Sequence, residues 1–368
     1  MAKFNGQLNT NEIFSTIYNM IIRQTVFSEN IAGTYSGPVD RAREEGSMFG
    51  DTILYYSTDA LFPKTFVPDS EEQLNLLKTH RPKDPEVQSL TIDVFKYIPL
   101  TTDNYFTKRA FSTPSVFADF NSTLIKWLYD TKRIYDATTY NTYIGTTQTA
   151  KGEQLHNVNL ATITPSVSTT DVEAYNRITA QTIAEDIGNL LVDISDVSRD
   201  FNDYGYIRSY ALEDVVILWN SRWYNCITKL DLPTIFHDEG IMDKMDRKDV
   251  LPARYFGDIN ASGGTISAAN TSIRTLIPVE IDENTKLFPG DLLPENYKYE
   301  ANTTYTVNDN IVCKIMAKGS VPYMSGFETQ TEFINAKNLS ENRYLIFGHN
   351  TLEYLKEKPF ITVKAITA

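Results

Sequence analysis

The side chains that most often bind metals or move protons are few and scattered in this sequence. Four histidines are spread along the chain, at His80, His156, His237 and His349. No H-x-x-x-H or C-x-x-C spacing is present, so a zinc site would have to be assembled entirely by the tertiary structure. The consecutive residues 237–239 (His-Asp-Glu) favour a solvated loop over a metal site, because neighbouring side chains point in different directions.

Three other patterns match catalytic or ligand-binding motifs only in part. The serine of the run Gly46–Gly50 directly follows the first glycine, which breaks the G-x-S-x-G serine elbow. The glycine pair 263–264 has no lysine after it in phosphate-loop register. Asp243, Asp246 and Asp249 recur every three residues among basic residues, which predicts a salt-bridged helical face rather than a calcium loop. A glycosidase-like pair of carboxylates stays open, because acidic residues are plentiful and nothing singles out a pair.

The sequence predicts no catalytic residue, no cofactor and no metal ligand, so the chain is not expected to be an enzyme. The two cysteines, Cys226 and Cys313, each lie within an apolar run. A redox pair is one interpretation, but reduced thiols used as small hydrophobic side chains fit a cytoplasmically made protein better. The order of the secondary-structure elements is therefore the remaining source of information on function.

Length and composition indicate a folded, acidic protein. The chain has 368 residues, of which 42% are hydrophobic and 22% charged, as in a globular protein of two or three lobes. Its 34 basic and 47 acidic residues give a formal net charge of −13, which argues against a broad nucleic-acid-binding surface. Neither a secretory signal nor a run of roughly 20 apolar residues is found, so we expect no membrane association.

The first third of the chain predicts a helix followed by an extended hairpin. Apolar residues recur at helical spacing over 10–31, and a polar connector with the charge run 40–45 follows. Thr52–Thr58 and Leu90–Ile98 are rich in β-formers and are separated by a polar excursion with four prolines. Two strands alone bury too little to be stable. The hairpin therefore needs a second surface, in its own chain or in a neighbouring subunit.

A long amphipathic helix is predicted directly after the hairpin. Thr113 is a good N-cap, and Pro114 is favoured at the first helical position. The apolar stripe comprises Phe117, Phe120, Leu124, Trp127, Leu128, Thr131 and Tyr135. With Gly145 as its terminator, a helix of about 30 residues spans roughly 45 Å and is expected to cross the whole molecule.

The second half of the chain predicts another amphipathic helix and several strands. Apolar residues keep helical spacing over Asp171–Phe201, and Gly205 closes this segment. Val215–Trp219 is apolar on both faces, as in a buried central strand, and a short helix follows it to Leu230. Further strands are predicted at 273–281, 310–316, 342–347 and 360–366.

This order of elements, rather than any single motif, resembles the major capsid proteins of tailed bacteriophages, whose Johnson fold is shared with encapsulin nanocompartments. Two stretches are especially similar to the capsid proteins of small short-tailed phages. They are Val94–Arg109, leading into the long helix, and Asp214–Asn220 with the helix after it. The resemblance implies an α+β fold with an N-terminal arm, an extended β-hairpin loop, a long spine helix, and peripheral and axial domains.

The resemblance also implies a division of this chain into domains. The arm would be 1–49, the extended loop 50–111, the spine helix 112–145, the peripheral domain 146–171 with 326–368, and the axial domain 172–325. Two departures concern the ends, where we expect neither a long acidic coiled-coil prefix nor an appended immunoglobulin-like domain. No motif assigns the lysine–asparagine cross-links that some relatives form.

The function that the resemblance implies is self-assembly, as pentamers and hexamers, into an icosahedral head around a double-stranded DNA genome. The partners would be copies of the same chain, a scaffolding protein, a portal and decoration proteins, with weak non-specific contacts to packaged DNA and no membrane. The protein would belong to the virion, after synthesis and assembly in the bacterial host cytoplasm.

Four aromatic residues of the hairpin are the candidate inter-subunit contacts: Tyr55, Tyr56, Phe66 and Tyr97. Lying over a neighbouring subunit, they would act as apolar anchors outside their own chain, and packing on their own helix is the alternative for each. For the function, one alternative is a phage tail or surface adhesin, favoured by 22 tyrosines but not by the absence of β repeats. An encapsulin-like shell protein and an enzyme are the others.

Overall fold

We analysed a computed structural model of the chain. The structure describes residues 38–45, 52–65, 79, 81–103, 114–147, 154–161, 172–228, 247–260, 304–335, 337 and 340–366. Several sequence-based predictions lie outside these residues and are not discussed structurally. They are the helix over 10–31, the run Gly46–Gly50, the candidate contact Phe66, the residues 237–239, Asp243, Asp246, the glycine pair 263–264 and the strand at 273–281.

The described chain contains four α-helices, all before β7, and thirteen strands. The helices are α1 Pro38–Ala42, α2 Pro114–Gly145, α3 Val172–Ser195 and α4 Ser221–Thr228. The strands are β1 Arg43–Glu45, β2 Thr52–Ser57, β3 Glu86–Asp103, β4 Thr146–Thr147, β5 Leu155–Asn159, β6 Val215–Asn220, β7 Arg247–Leu251, β8 Gly257–Asn260, β9 Thr304–Val307, β10 Ile311–Ala317, β11 Tyr323–Asn335, β12 Ser340–Asn350 and β13 Phe360–Ile366. Short 3₁₀ turns precede β6 and β8, at Leu212–Asp214 and Ala253–Tyr255.

The described strands form three sheets. Sheet one has the order β1-β11-β12-β3-β2, sheet two the order β5-β13-β10-β6-β7, and sheet three the order β4-β8-β9. Antiparallel pairs dominate, and the parallel pairs are β1 with β11, β5 with β13, β6 with β7 and β4 with β8. Long helices combined with mainly antiparallel sheets confirm the predicted α+β class.

Sheet two is covered by a helix on each face, and most of the core lies there. Val215, Ile217 and Trp219 of β6 pack in one cluster with the apolar stripe of α3, formed by Ile183, Ile187, Leu191 and Ile194. Val216 and Leu218 pack in a second cluster, with the C-terminal half of α2. Because both faces of β6 meet a helix, the run Val215–Trp219 is apolar throughout, as predicted.

The C-terminal half of α2 is buried although it carries many polar residues. The hydroxyl groups of Thr138, Thr142 and Thr146 each donate to the carbonyl oxygen four residues earlier, at 2.7, 2.7 and 2.5 Å. These bonds within the helix satisfy the hydroxyls, so threonines are tolerated in the core. The helix ends at Gly145, the predicted terminator, where the backbone of Tyr255 lies very close.

Two sequence-based predictions need correction. The helix α3 ends at Ser195 rather than near Phe201, because Ser198 forms a β-bridge with Arg208 and turns the chain back. The helical face predicted at Asp249 is wrong, since residues Arg247–Leu251 form β7 beside β6. The charge pattern was still informative, because the Asp249 carboxylate forms a salt bridge with Arg41 at 2.5 Å.

Candidate inter-subunit surface

The strand β3 separates an inner and an outer face of sheet one. From Val87 to Pro99 every odd-numbered residue is exposed, and the even-numbered residues between them are buried or half-buried. Successive side chains of a strand point to opposite faces, but the pairing of β3 with β12 shifts register between Ile92 and Val94, so the alternation changes phase there. We call the exposed face that carries Phe95, Tyr97 and Pro99 the outer face, and the face that packs on α2 the inner face.

The inner face is held to α2 and β1 by a buried network centred on Asp136. The Asp136 carboxylate accepts a hydrogen bond from the Tyr323 hydroxyl at 2.6 Å. The same carboxylate forms ion pairs with Lys132 at 3.2 Å and with Arg43 at 3.3 Å. Burial and the neighbouring Asp136 carboxylate raise the pKa of Tyr323, so its hydroxyl remains a donor. The network joins β1, α2 and β11.

His349 lies in the same buried region and serves as a hydrogen-bonding residue. Its Nδ1 is 2.8 Å from the carbonyl oxygen of Asn350, and its Nε2 is 3.1 Å from the Tyr135 hydroxyl. Burial lowers the pKa of His349, and the charge of Lys96 acts in the same direction, against the opposite effect of the Asn350 carbonyl, Asp136 and Asp93.

The outer face of sheet one exposes large apolar side chains. Tyr97 and Phe95 are 57% and 60% exposed, and the Tyr97 ring meets the Tyr344 ring edge-on at 6.2 Å. A shallow depression of about 370 Å³ opens here, lined by Phe95, Lys96, Tyr97, Thr331, Tyr344 and Ile346. A mostly apolar depression on an exposed sheet face is suited to receive a protein side chain rather than to perform chemistry.

The structure places the predicted contact residues on different faces. Tyr56 is 63% exposed and pairs with Val87, in the part of β3 before the register shift, so alternation does not place it on the face of Tyr97. About ten residues of β3 separate the two positions, or roughly 33 Å. Tyr55 is half-buried on the side of sheet one away from α2, where it packs with Leu90 and Met324 and donates to the Glu44 carboxylate at 2.9 Å. Burial, more than Glu44, raises the pKa of Tyr55.

Sequence reasoning missed several members of the outer face. Phe95, Tyr344, Ile346 and the 64% exposed Phe333 were assigned to no surface. The signal was present in β3, where both faces of the strand carry apolar residues: Val94 and Ile98 on one, Phe95 and Tyr97 on the other. Such a strand needs cover on both faces, and the described chain supplies it only on the inner one.

The described residues show no other candidate site. Within the described ranges no group of three or more His, Cys, Asp or Glu residues is placed to hold a metal ion. None of the described helices is long and apolar enough to cross a membrane. Cys313 is a free, fully buried thiol in β10, and burial raises its pKa.

Comparisons with solved structures agree on the fold. A chain from the capsid structure of Staphylococcus phage Andhra superposes with a TM-score of 0.59 at 10% identity, covering 88% of this chain and 83% of that one. A chain from the structure of the head fiber and inner core protein gp22 of native bacteriophage P68 gives 0.57 at 12% identity, with the same coverage of both chains. At these identities the likeness concerns the fold. The comparison with curated proteins finds no match.

The comparison with family models extends over almost the entire sequence. The model described as Phi29-like phage major capsid protein matches residues 2–363. This match favours neither the adhesin nor the encapsulin-like alternative, and it agrees with the order of elements from the hairpin through α2 to sheet two. The chain therefore belongs to the family of Phi29-like phage major capsid proteins.

Proposed function

We propose that this chain builds the phage head as pentamers and hexamers, and that the outer face of sheet one is one of the surfaces through which its copies meet. Membership of the capsid family makes the chain a structural protein of the virion that assembles with copies of itself into the icosahedral shell. The proposal adds which residues make contact. We assign the chain no catalytic role.

The observation that carries the proposal is the exposed apolar outer face. Phe95 and Tyr97 are each more than half exposed on one side of a sheet whose other side packs on α2, and Tyr56 is 63% exposed on β2. Contiguous exposed apolar patches usually mark protein contacts, and aromatic residues are enriched at their centres. Tyr55 and Phe66 complete the proposed set of contacts. Tyr55 is half-buried, so Tyr56 and Tyr97 are the members to test first.

Contacts of this kind would be heterologous. The outer face is formed by β3, β12 and β11, and its residues Phe95, Tyr97 and Phe333 are each more than half exposed. A patch that binds a different surface of the next copy generates rings when the rotation closes. Repetition of one such contact therefore suits pentamers and hexamers, with the hairpin of each copy lying over its neighbour.

The domain division remains part of the proposal. We propose that 1–49 is the arm, 50–111 the extended loop, 112–145 the spine helix, 146–171 with 326–368 the peripheral domain, and 172–325 the axial domain. Support comes from α2, which spans Pro114–Gly145 and bridges sheet one and sheet two.

The remaining partners follow from the charge and the class of protein. With a net charge of −13, the shell would contact packaged DNA weakly and non-specifically, which lets the genome slide during packaging. We also propose a scaffolding protein, a portal and decoration proteins as partners. Synthesis and assembly would take place in the bacterial host cytoplasm.

The test replaces exposed aromatic residues that the fold does not need. We expect Tyr97→Ser and Tyr56→Ser to leave the urea unfolding midpoint of the free subunit nearly unchanged. Shell formation, followed by light scattering and electron microscopy, should slow by about tenfold or more, because losing one anchor weakens each contact by about 1.4 kcal/mol or more. Val197→Ser removes an apolar side chain that is 64% exposed elsewhere and serves as the control.

Assembly of both tyrosine variants at the wild-type rate would contradict the proposed surface. A deletion of residues 63–85 adds a coarser test of the hairpin. If the hairpin serves neighbouring copies, the shortened subunit folds but assembles poorly. Loss of folding would instead assign the hairpin to its own subunit.

A further inference from the structure

The segment between β2 and β3, residues 58–85, is called the excursion here. Its first residues are hydrogen-bonded to a loop that is distant in the sequence of the same chain. Asp59 lies just after β2, and its carboxylate accepts hydrogen bonds from the backbone N–H groups of Ile207 at 3.1 Å and of Ala60 at 2.8 Å. The Arg199 guanidinium donates to the same carboxylate at 3.0 Å. One carboxylate therefore joins the start of the excursion to the loop 196–211, which connects α3 to β6.

Arg208 provides a second anchor from the same loop. Its guanidinium donates to the Thr58 carbonyl oxygen at 2.6 Å and to the Ser57 hydroxyl at 3.4 Å. It also forms an ion pair with Glu357 at 3.0 Å. Charged hydrogen bonds to backbone carbonyls restrict the backbone directly. Arg208 thus joins the end of β2, the loop 196–211 and the segment before β13.

Both legs of the excursion contact this loop. On the outgoing leg the Arg199 guanidinium lies over the Phe62 ring, 5.5 Å from its centroid. On the returning leg the Lys83 ammonium lies over the Tyr206 ring at 5.4 Å. In the first cation–π contact the loop supplies the cation, and in the second the excursion supplies it. The loop therefore contacts both the outgoing and the returning leg of the excursion.

The loop has its own internal support. The Asn202 side chain accepts from the Tyr206 N–H at 2.8 Å and donates to the Tyr206 carbonyl oxygen at 2.7 Å. Gly205 adopts the left-handed conformation, with φ of 64°, which allows the tight turn. Two backbone hydrogen bonds of 3.0 Å between Ser198 and Arg208 close its base. The loop can therefore act as a rigid platform for the excursion.

We propose that Asp59, Arg199 and Arg208 form a strap that sets the direction in which the excursion leaves the subunit. The strap holds Leu61 and Phe62 outward, where they are 78% and 72% exposed. Ordering the base of the excursion before contact reduces the conformational entropy lost when two copies meet. The role of the strap toward a neighbouring copy rests on the proposed function, whereas its existence in the free subunit does not.

The strap is tested first in the unassembled full-length subunit by hydrogen–deuterium exchange. Asp59→Ala and Arg199→Gln each remove one of its three charges. We expect exchange in peptides covering 57–62 and 198–208 to rise together, by tenfold or more, because opening the strap frees both segments. Raising NaCl from about 0.05 to 1 M should partly reproduce the effect in the wild type, since salt screens exposed ion pairs.

Arg222→Gln is the matched control for removal of a surface arginine. Arg222 forms a comparable ion pair, with Asp309 at 2.5 Å, and it lies on α4 outside the strap. Its loss should leave exchange in both strap peptides unchanged. Exchange in the wild type as fast as in the Asp59 and Arg199 variants, or a rise in only one of the two peptides, would overturn the strap. Should Asp59→Ala fail to fold, Arg199→Gln and the salt series still decide the question.

The positioning role is tested by shell formation with the same proteins. We expect the strap variants to assemble at least fivefold more slowly than the wild type and the Arg222 control. Faster exchange combined with an unchanged assembly rate would overturn the positioning role. The Tyr97→Ser variant separates this failure from failure of the proposed function. Slow assembly of that variant supports the outer-face contact, whatever the strap variants do.

Discussion

Replacing Gly145 by alanine has two opposing effects at the end of α2: alanine has the higher helix propensity, but its side chain would clash with a neighbouring segment. A β carbon added at Gly145 would lie 2.0 Å from the carbonyl oxygen and 2.7 Å from the carbonyl carbon of Tyr255. Ordinary contacts begin near 3.4 Å, so the end of α2 and the turn Ala253–Tyr255 would have to move apart by about 1.4 Å, the difference between the first distance and this limit.

The magnitude follows from what holds these two segments together. Tyr255 and Phe256 are buried, and β4, directly after Gly145, pairs with β8, directly after the turn. The backbone oxygen therefore has little freedom to retreat. Helix propensity alone would favour alanine by up to about 1 kcal/mol, whereas overpacking of a core costs about 1–3 kcal/mol and more where backbone must shift. We expect a net loss of about 2 kcal/mol in the free energy of unfolding.

Gly188→Ala in α3 is the matched control. Gly188 lies within a helix, and a β carbon added there meets nothing within 4 Å. The higher helix propensity of alanine is not offset by any clash there, so we expect the free energy of unfolding of this variant to rise by up to about 1 kcal/mol. Urea unfolding of the free subunits, followed by circular dichroism, gives both changes as midpoint shifts at constant m value. An upward shift for Gly145→Ala, like that for Gly188→Ala, would refute the packing argument.

Three further outcomes are expected in the buried core. Asp136→Ala removes the carboxylate that Lys132 and Arg43 share, and urea unfolding should show a loss of about 3 kcal/mol because the buried Lys132 ammonium and Tyr323 hydroxyl lose this partner. His349 has a lowered pKa, so only the unfolded chain gains its proton as pH falls below about 6.5. The free energy of unfolding should then fall by up to about 1.4 kcal/mol per pH unit. His349→Gln should make this dependence on pH weaker between pH 7 and 5.5. An unchanged dependence would assign the effect to other groups. The buried Cys313 thiol should resist iodoacetamide in the folded subunit and react after denaturation, as mass spectrometry of digests would show.

Local patterns predicted the elements that pack against helices. The stripe of α3 and the doubly apolar run Val215–Trp219 follow from side-chain periodicity, and both lie in the predicted core. The strand β11 was not predicted, because Tyr323–Asn335 contains polar residues that are exposed at one edge of sheet one. Asp249 was placed on a helix because charge spacing carries no information about a strand partner.

The candidate surface was predicted only in part. Tyr56 and Tyr97 were identified from residue type, and both are exposed, but a register shift in β3 separates them and Tyr55 is half-buried. Alternation along β3 indicates that neighbouring residues face opposite ways, and it cannot indicate which face a helix will cover. That choice was made by α2, which contacts the inner face through Tyr135 and Lys132.

The sequence by itself determined the order of elements, the α+β class and the resemblance to capsid proteins, because periodicity and turn residues act over short stretches of chain. Only the tertiary structure decided which aromatic residues stay exposed and where the excursion is anchored. Asp59 meets Arg199 across 140 residues of sequence and Ile207 across 148. No local pattern encodes such a contact, because it exists only after sheet one, α2 and sheet two have packed together.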